Sequence, residues 1–482
     1  MDEVAPEAPR EEPSYVTARE PRLKLLIPLV VACAMLMDGL DQTVIATSLP
    51  QIAASLGESP LRLNLAITSY LLSLAVFIPV SGWIADRFGA RTVFCWAVGI
   101  FTASSALCGA SVSLPMMVAT RILQGVGGAL MSPVGRLIML KSFPRSELIV
   151  ATGYVMMPAM IGPAMGPLVG GFLTTYASWR WIFYINVPVG LLGIALALRY
   201  FVNFRAETPP RFDVTGFILC AIGLSATQLA LEFAGRLRGS GAVEAAFVVV
   251  ALLTLGAYGF YARRTHHPVI DLELFRIKTF RVGNLGGTLC RIGYASTSFL
   301  LPLLLQMALG YSAFRAGIFT SIVAVGALAM RTVTPRVLRR FGFRKVLLVN
   351  GAWVAVLMMG LALITRDTPE WALATFVLVL GFFRSLQYTS LSSVGYADLA
   401  GRTISPGSSL ASVMQQLSQS FGVAISATLL GVFAGAAATP TRAQFAAVFS
   451  LMVVFPVVSL VWFARLAPGD GAQMSGYRPR GS

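Results

Sequence analysis

Residues 82–91 read Gly82-Trp83-Ile84-Ala85-Asp86-Arg87-Phe88-Gly89-Ala90-Arg91, a short charged turn between two long apolar blocks. Its second half, Arg87-Phe88-Gly89-Ala90-Arg91, returns 253 positions later as Arg340-Phe341-Gly342-Phe343-Arg344. The loop one block earlier, Leu56-Gly57-Glu58-Ser59-Pro60-Leu61-Arg62, returns at the same offset as Leu309-Gly310-Tyr311-Ser312-Ala313-Phe314-Arg315. One such echo is within the reach of chance. Two at a single offset mark an internal duplication. The flanking blocks run about 18 to 28 residues, which at ~1.5 Å per residue crosses a ~30 Å hydrocarbon layer as helix. Barrel strands need only about half that length.

Moving outward, apolar blocks fill the chain in fourteen segments, six on each side of an extra pair at 213–234 and 244–263. The expected fold is all-α integral membrane: two pseudo-symmetric six-helix bundles plus two inserted helices, about fourteen transmembrane helices. The expected divisions are an arm at 1–22, a first bundle at 23–202, the inserted pair and linker at 203–280, a second bundle at 281–466 and a tail at 467–482. The arm is acidic and proline-rich without an apolar stretch, so it reads as disordered and cytoplasmic and not as a signal peptide.

The 482 residues are 56% hydrophobic and 12% charged, with far more apolar surface than a soluble fold of this length hides, so lipid is the main solvent. The formal charge of +16 would suggest nucleic acid in a soluble protein. Here the cations fall in alternate loops. Arg87, Arg91, Lys141, Arg145, Arg263, Arg264, Arg339, Arg340, Arg344 and Lys345 share one side, whereas few, such as Arg180, Arg236, Arg238 and Arg366, lie on the other. The positive-inside rule accounts for this, and it predicts a multi-pass plasma-membrane protein (inner membrane in a Gram-negative cell) with both termini cytoplasmic and no nucleic-acid partner. It is expected to work as a monomer, with accessory proteins left open.

Cys33, Cys95, Cys108, Cys220 and Cys290 all lie in apolar blocks without paired spacing, which gives neither a disulfide framework nor a thiolate metal site. The only histidines, His266 and His267, adjoin each other in a loop, and no nucleophile–base or metal-ligand spacing appears. No lysine follows a glycine, so there is no P-loop and no ATP-driven pump within this chain. The sequence points away from an enzyme and calls for no cofactor.

Together with the duplicated plan, the turn Gly82 to Arg91 resembles the loop signature of the major facilitator superfamily. The resemblance implies that Asp86, with Gly82, Arg87, Gly89 and Arg91, gates the cytoplasmic side by meeting the start of the thirteenth helix. That helix opens with Ser405-Pro406-Gly407, an N-cap followed by proline, whose dipole favours a carboxylate. As turn and topology signals these charges would look the same. The fifth block carries Gly162-Pro163-Ala164-Met165-Gly166-Pro167-Leu168-Val169-Gly170-Gly171. Glycines four apart make a flat packing face and the prolines loosen the helix. The stretch resembles the antiporter motif of superfamily exporters. Leu40-Asp41-Gln42-Thr43-Val44-Ile45, Arg121-Ile122-Leu123-Gln124-Gly125-Val126-Gly127-Gly128 and Trp179-Arg180-Trp181-Ile182-Phe183-Tyr184-Ile185-Asn186-Val187-Pro188 are similar to the fourteen-helix drug:proton antiporters. The sequence departs from that pattern at Thr47-Ser48, and at Arg339, which stands where the first loop has Asp86. Only one loop can therefore form an acidic lock.

Two acids, Asp38 and Asp41, lie deep in the first block one helical turn apart. Ionisable groups at bilayer depth are costly and are functional candidates, and a carboxylate that can switch between charged and neutral is what proton coupling needs. Asp41 matches the family's membrane carboxylate. Counted from the outer ends at ~1.5 Å per residue, Asp41 and Arg121 reach similar depths, about 13 and about 10 Å, and are expected to pair. Arg291, Arg331 and Arg384 are further deep cations, while Arg136 is near enough to a helix end to snorkel. The superfamily plan implies a cavity lined by the first, fourth, ninth and twelfth helices. Arg291 stands 253 positions after Asp38, so the two are expected to face each other across it. Gln124, Tyr294, Gln387 and Tyr388 complete the expected substrate cavity.

The sequence therefore predicts a proton-coupled exporter of small amphiphilic molecules or drugs, rocking one bundle against the other. An alternative is an exporter of organic anions or metal–carboxylate chelates recognised by the buried arginines, since buried bases outnumber buried acids.

Overall fold

Gly89 and Gly342 break the chain in the same way. Both have positive φ, 93° and 70°, as do Gly57 and Gly310 in the other pair of repeated turns, at 68° and 77°. Glycine takes this conformation without a Cβ clash, which is why it recurs in both copies. Gly342 matters most for the helix count. It interrupts an apolar helix running Ala313–Leu363, 51 residues, which at ~1.5 Å per residue would be ~76 Å long and far exceed a bilayer. That helix is two spans meeting at a sharp turn.

The computed structural model describes residues 23–206, 212–234, 241–265, 268–400, 403–435 and 439–477. The arm at 1–22, Arg236, Arg238, His266, His267 and the last five residues lie outside the described residues. Thirteen helices are long and apolar enough to cross a membrane, and the break at Gly342 makes fourteen spans. They are α1 (Leu23–Leu56), α2 (Asn64–Phe88), α3 (Ala90–Gly109), α4 (Leu114–Ser142), α5 (Arg145–Tyr176) and α6 (Trp181–Tyr200) in the first bundle. The inserted pair is α7 (Val214–Ala234) and α8 (Gly241–Ala262). The second bundle holds α9 (Lys278–Ala308), α10 (313–341), α11 (343–363), α12 (Glu370–Tyr396), α13 (Ile404–Ala434) and α14 (Arg442–Ala464). Every regular element among the described residues is helical. The chain is a multi-pass membrane protein.

Serine caps recur at the far-end loops: Ser113 accepts from the Met116 amide at the start of α4, and Ser312 from the Arg315 amide at the start of α10. Within the first bundle α1 packs along α5, α2 on α4 and α3 on both α4 and α6. In the second, α9 packs on α13 and on α14. The bundles meet where α10 crosses α5 and where α2 lies beside α13. The inserted α7 touches both members of the second contact. Gln228 accepts from Ser420 of α13 (2.8 Å), Glu232 from Asn64 of α2 (3.1 Å), and the Leu231 carbonyl from Thr428 (3.1 Å).

At the end away from the chain termini the bundles are joined. Gln306 donates to the Thr47 carbonyl (2.9 Å) and accepts from Gln51 (3.2 Å), and the Phe314 amide bonds Thr175 (3.1 Å). The Phe314 ring packs edge-on against Phe172 and Tyr176. A cavity between the bundles lies on the termini side of this seal.

Candidate functional site

Arg121 of α4 is 1% exposed and Asp41 of α1 is wholly buried. A lone ion at this depth would be prohibitively costly, so each needs its full set of partners. Asp41 Oδ2 accepts from Arg121 Nη1 (2.5 Å) and Oδ1 from Gln124 Nε2 (2.9 Å). Gln124 Oε1 accepts in turn from Arg121 Nη1 (2.8 Å) and from the Cys108 thiol (3.5 Å). Arg121 Nε donates to the Ala66 carbonyl of α2 (2.9 Å), and the guanidinium lies 4.3 Å from the Tyr70 ring centre. The sequence of α4 explains how these groups converge. Arg121 and Gln124 point at α1, while Gly125 and Gly128 admit α2: a Cβ there would lie 2.7 Å from the Tyr70 carbonyl oxygen and 3.0 Å from its hydroxyl.

Asp38 is held differently. Its Oδ1 accepts from the Tyr70 hydroxyl (2.5 Å) and from Gln42 Nε2 (3.0 Å), so its partners are neutral and the side chain is partly exposed. Arg291 does not reach it. The expected meeting of Asp38 and Arg291 is not made, because Asp38 turns toward α2 within its own bundle.

The cavity has a volume of about 430 Å³ and is lined from α1, α2, α5, α9, α10, α12 and α13. The first bundle contributes mainly apolar groups, with Gln42 and Thr43 as the polar exceptions. The second contributes Arg291, Arg331 and Arg384 together with Tyr294, Tyr388, Gln415 and Gln419, and among the described residues no carboxylate lines the cavity. Arg291 is 4% exposed, yet its Nε and Nη1 have no hydrogen-bond partner among the described residues. Its guanidinium lies 5.7 Å from the Tyr388 ring centre, and Arg384 Nη1 donates to Ser298 (3.2 Å). Unpaired guanidinium groups in a confined space form a ready receptor for carboxylate or phosphate oxygens.

Three expectations are corrected here. The fourth helix does not line the cavity, since its polar residues are turned to α1 and α2, and α2, α5, α10 and α13 contribute instead. Gln124 therefore belongs to the buried ion pair and not to the cavity. Gln387 is likewise buried away from it: it accepts from Asn350 (2.9 Å) and donates to the Leu347 carbonyl of α11 (3.0 Å). It sits three residues from Arg384, whereas Tyr388, four residues on, shares the cavity face.

The glycine–proline stretch of α5 is a packing surface with two faces. A Cβ on Gly162, Gly166 or Gly170 would lie 2.8, 3.1 or 2.5 Å from the carbonyl oxygens of Leu36, Leu40 and Val44 on α1. One on Gly171 would lie 2.9 Å from the Ala313 carbonyl carbon, at the start of α10. Pro163 and Pro167 also line the cavity, and Thr47 donates to the Pro167 carbonyl (3.3 Å). This stretch therefore touches α1, the other bundle and the cavity at once.

At the termini end Gly89 is capped by the segment after α6: Asn203 accepts from the Arg91 amide (3.1 Å) and the Phe204 carbonyl from the Ala90 amide (2.8 Å). Gly82 and Arg87 are exposed and Asp86 and Arg91 partly so. The Asp86 carboxylate has no hydrogen bond or ion pair among the described residues, and the expected contact with the start of α13 is not made in this conformation, in which the seal lies at the opposite end.

Sequence reading missed Tyr70, Gln415 and Gln419. A hydroxyl or amide inside an apolar span needs a partner, and that signal was available for all three.

A family model described as Major Facilitator Superfamily matches residues 31–423. A protein of Serratia proteamaculans, provisionally named multidrug resistance protein MdtD, is 40% identical over 405 residues, covering 84% of this chain and 85% of its own. A protein of the same provisional name from Pectobacterium carotovorum is 37% identical over 450 residues, covering 92% and 96%. Among solved structures, an auto-inhibited POT family peptide transporter superposes with a TM-score of 0.67 at 16% identity, covering 95% of this chain and 99% of that one. A D-xylose–proton symporter gives 0.64 at 17%, covering 92% and 98%.

Proposed function

The chain belongs to the major facilitator superfamily, and from that premise we propose that it is a proton-coupled exporter of small amphiphilic molecules, including drugs, working by alternating access. The observation that carries this reading is the pair of deep acids on α1, Asp38 held by Tyr70 and Gln42 and Asp41 held by Arg121 and Gln124, beside a substrate-sized cavity. It gives the first bundle an acid–base element separate from the substrate wall. The names of the relatives and the resemblance of the α5 stretch support export over uptake. The basic loops support a plasma-membrane orientation with both termini in the cytoplasm, so that the cavity loads from inside. Closing that side would rock the bundles together and bring Asp86, flanked by Arg87 and Arg91, to the first turn of α13. Gly171 lets α10 pass α5 at van der Waals distance during that movement, while Gly162, Gly166 and Gly170 keep α1 against α5 within the first bundle.

The test uses everted membrane vesicles with an imposed proton gradient and two fluorescent probes, ethidium as a lipophilic cation and fluorescein as a lipophilic anion. Gradient-dependent accumulation of either, and proton release when it is added, is the expected result. Accumulation that ignores a protonophore would sink the coupling.

A second reading concerns charge. Three cavity arginines with no lining carboxylate favour substrates bearing carboxylate or similar anionic groups, including polycarboxylates and their metal chelates. Fluorescein or a polycarboxylate should then be carried better than ethidium, and Arg291→Ala should abolish that preference. If cation efflux is unaffected by Arg291→Ala and no anion is ever carried, this reading fails.

A further inference from the structure

The two deep acids of α1 are one turn apart and differently held. Neither lines the cavity, but Asp41 gives both oxygens to charged or amide donors and is wholly buried, whereas Asp38 is partly exposed. Protonating it would leave Arg121 as a buried cation with its counter-ion gone, a strongly disfavoured state. Asp38 faces no such obstacle. Both of its hydrogen bonds land on Oδ1, which leaves Oδ2 without a hydrogen bond among the described residues. Gln42, which binds that same Oδ1, is itself a cavity residue, so cavity water lies one side chain away.

We propose that Asp38, and not Asp41, is the carboxyl that takes up and releases the transported proton, with Tyr70 reporting its state to the Asp41–Arg121 pair. The inference rests on the proton-coupled reading above and names the site within it. In the step, a hydronium ion of cavity water gives its proton to Asp38 Oδ2, forming an O–H bond and leaving water. Release reverses the transfer to water. The titratable and charged groups facing Asp38 are Tyr70 of α2, Asp41 of its own helix and Arg121 of α4. Ionised, Asp38 holds the Tyr70 hydroxyl by a charge-assisted bond; once neutral, it holds it by an ordinary one, roughly half as strong. The Tyr70 ring face carries the Arg121 guanidinium, and two residues earlier the Thr68 carbonyl accepts from Ser420 of α13 (3.3 Å). Loosening Tyr70 therefore acts on the ion pair and on a contact between the bundles together.

The closing experiment is infrared difference spectroscopy of the full chain in lipid nanodiscs, stepping the pH through a range in which exposed carboxylates stay ionised. A protonated-carboxyl carbonyl band is expected to grow as pH falls, to vanish in Asp38→Asn, to return at a shifted frequency in Asp38→Glu and to persist in Asp41→Asn. Tyr70→Phe, which removes no hydrogen bond of the Asp41–Arg121 pair and keeps a ring beside Arg121, should move both the band and its titration midpoint. A band that survives Asp38→Asn, a band insensitive to Tyr70→Phe, or no titrating band in the wild type each overturns the proposal. Because no substrate is present, these outcomes are separate from those of the coupled reading. Wild-type vesicles that accumulate probe without moving protons would defeat that reading while the infrared result stands on its own.

Discussion

The two halves of this molecule repeat a backbone and differ in how they treat charge. In the first bundle the deep cation has a counter-ion and each deep acid has side-chain donors: Arg121 pairs with Asp41, Asp41 also accepts from Gln124, and Asp38 accepts from Tyr70 and Gln42. In the second bundle Arg291, Arg331 and Arg384 line the cavity with no carboxylate beside them among the described residues. That half could not have matched them, because its acids between residues 281 and 466 are Asp367, Glu370 and Asp398, all at helix ends or in loops. Asp38 and Arg291 occupy equivalent positions, 253 apart, yet one turns inward to its bundle and the other toward the shared cavity. A duplicated fold can thus place its internal electrostatics in one copy and its open binding charges in the other.

The difference makes a graded set of expectations. The largest effect should come from breaking the matched pair. Arg121→Ala leaves Asp41 buried and uncompensated, and should cost about 3–5 kcal/mol of stability, read as a large drop in thermal midpoint in detergent. Arg291→Ala in the same assay should change little or stabilise, since it removes an unmatched charge. If the two variants melt together, the contrast between the halves is not real.

Next comes substrate. Arg291→Ala and Arg384→Ala should each weaken transport of an anionic probe by about tenfold or more, the equivalent of one lost charge-assisted hydrogen bond of ~1.5 kcal/mol, and leave ethidium untouched. Vesicle flux at several probe concentrations measures this. A first-bundle variant on the cavity wall, Thr43→Val, should not discriminate between the probes.

A smaller effect is expected at the neutral end of the matched network. Tyr70→Phe removes one hydrogen bond to a carboxylate and should lower stability by about 1–2 kcal/mol, less than Arg121→Ala. A loss as large as that of Arg121→Ala would mean that the hydroxyl, and not the ring, holds the network together.

The smallest effect should be the symmetric one. Arg62 and Arg315 are repeat equivalents, and each makes an exposed ion pair, with Glu58 (2.6 Å) and Glu370 (3.2 Å). Replacing either by alanine should alter stability by less than about 0.5 kcal/mol, since solvent screens both. Unequal effects would show that the halves differ at their surface as well as in their depths.

The sequence alone determined the number of spans, the duplication and the insertion, because helix length against bilayer thickness is a local quantity and both glycine turns recur at one offset. It also determined that Asp41 and Arg121 lie at similar depth, since depth is only a count along a helix. Which way a side chain points around that helix is not a count. Gln124 and Gln387 share spans with functional arginines, yet each turns to a neighbouring helix, to Asp41 and to Asn350. Asp38 was expected to look across the cavity and instead meets Tyr70. Only the packing of α2 against α4, admitted by Gly125 and Gly128, decides that, because rotation about a helix axis is set by the partners that helix meets and not by its own residues.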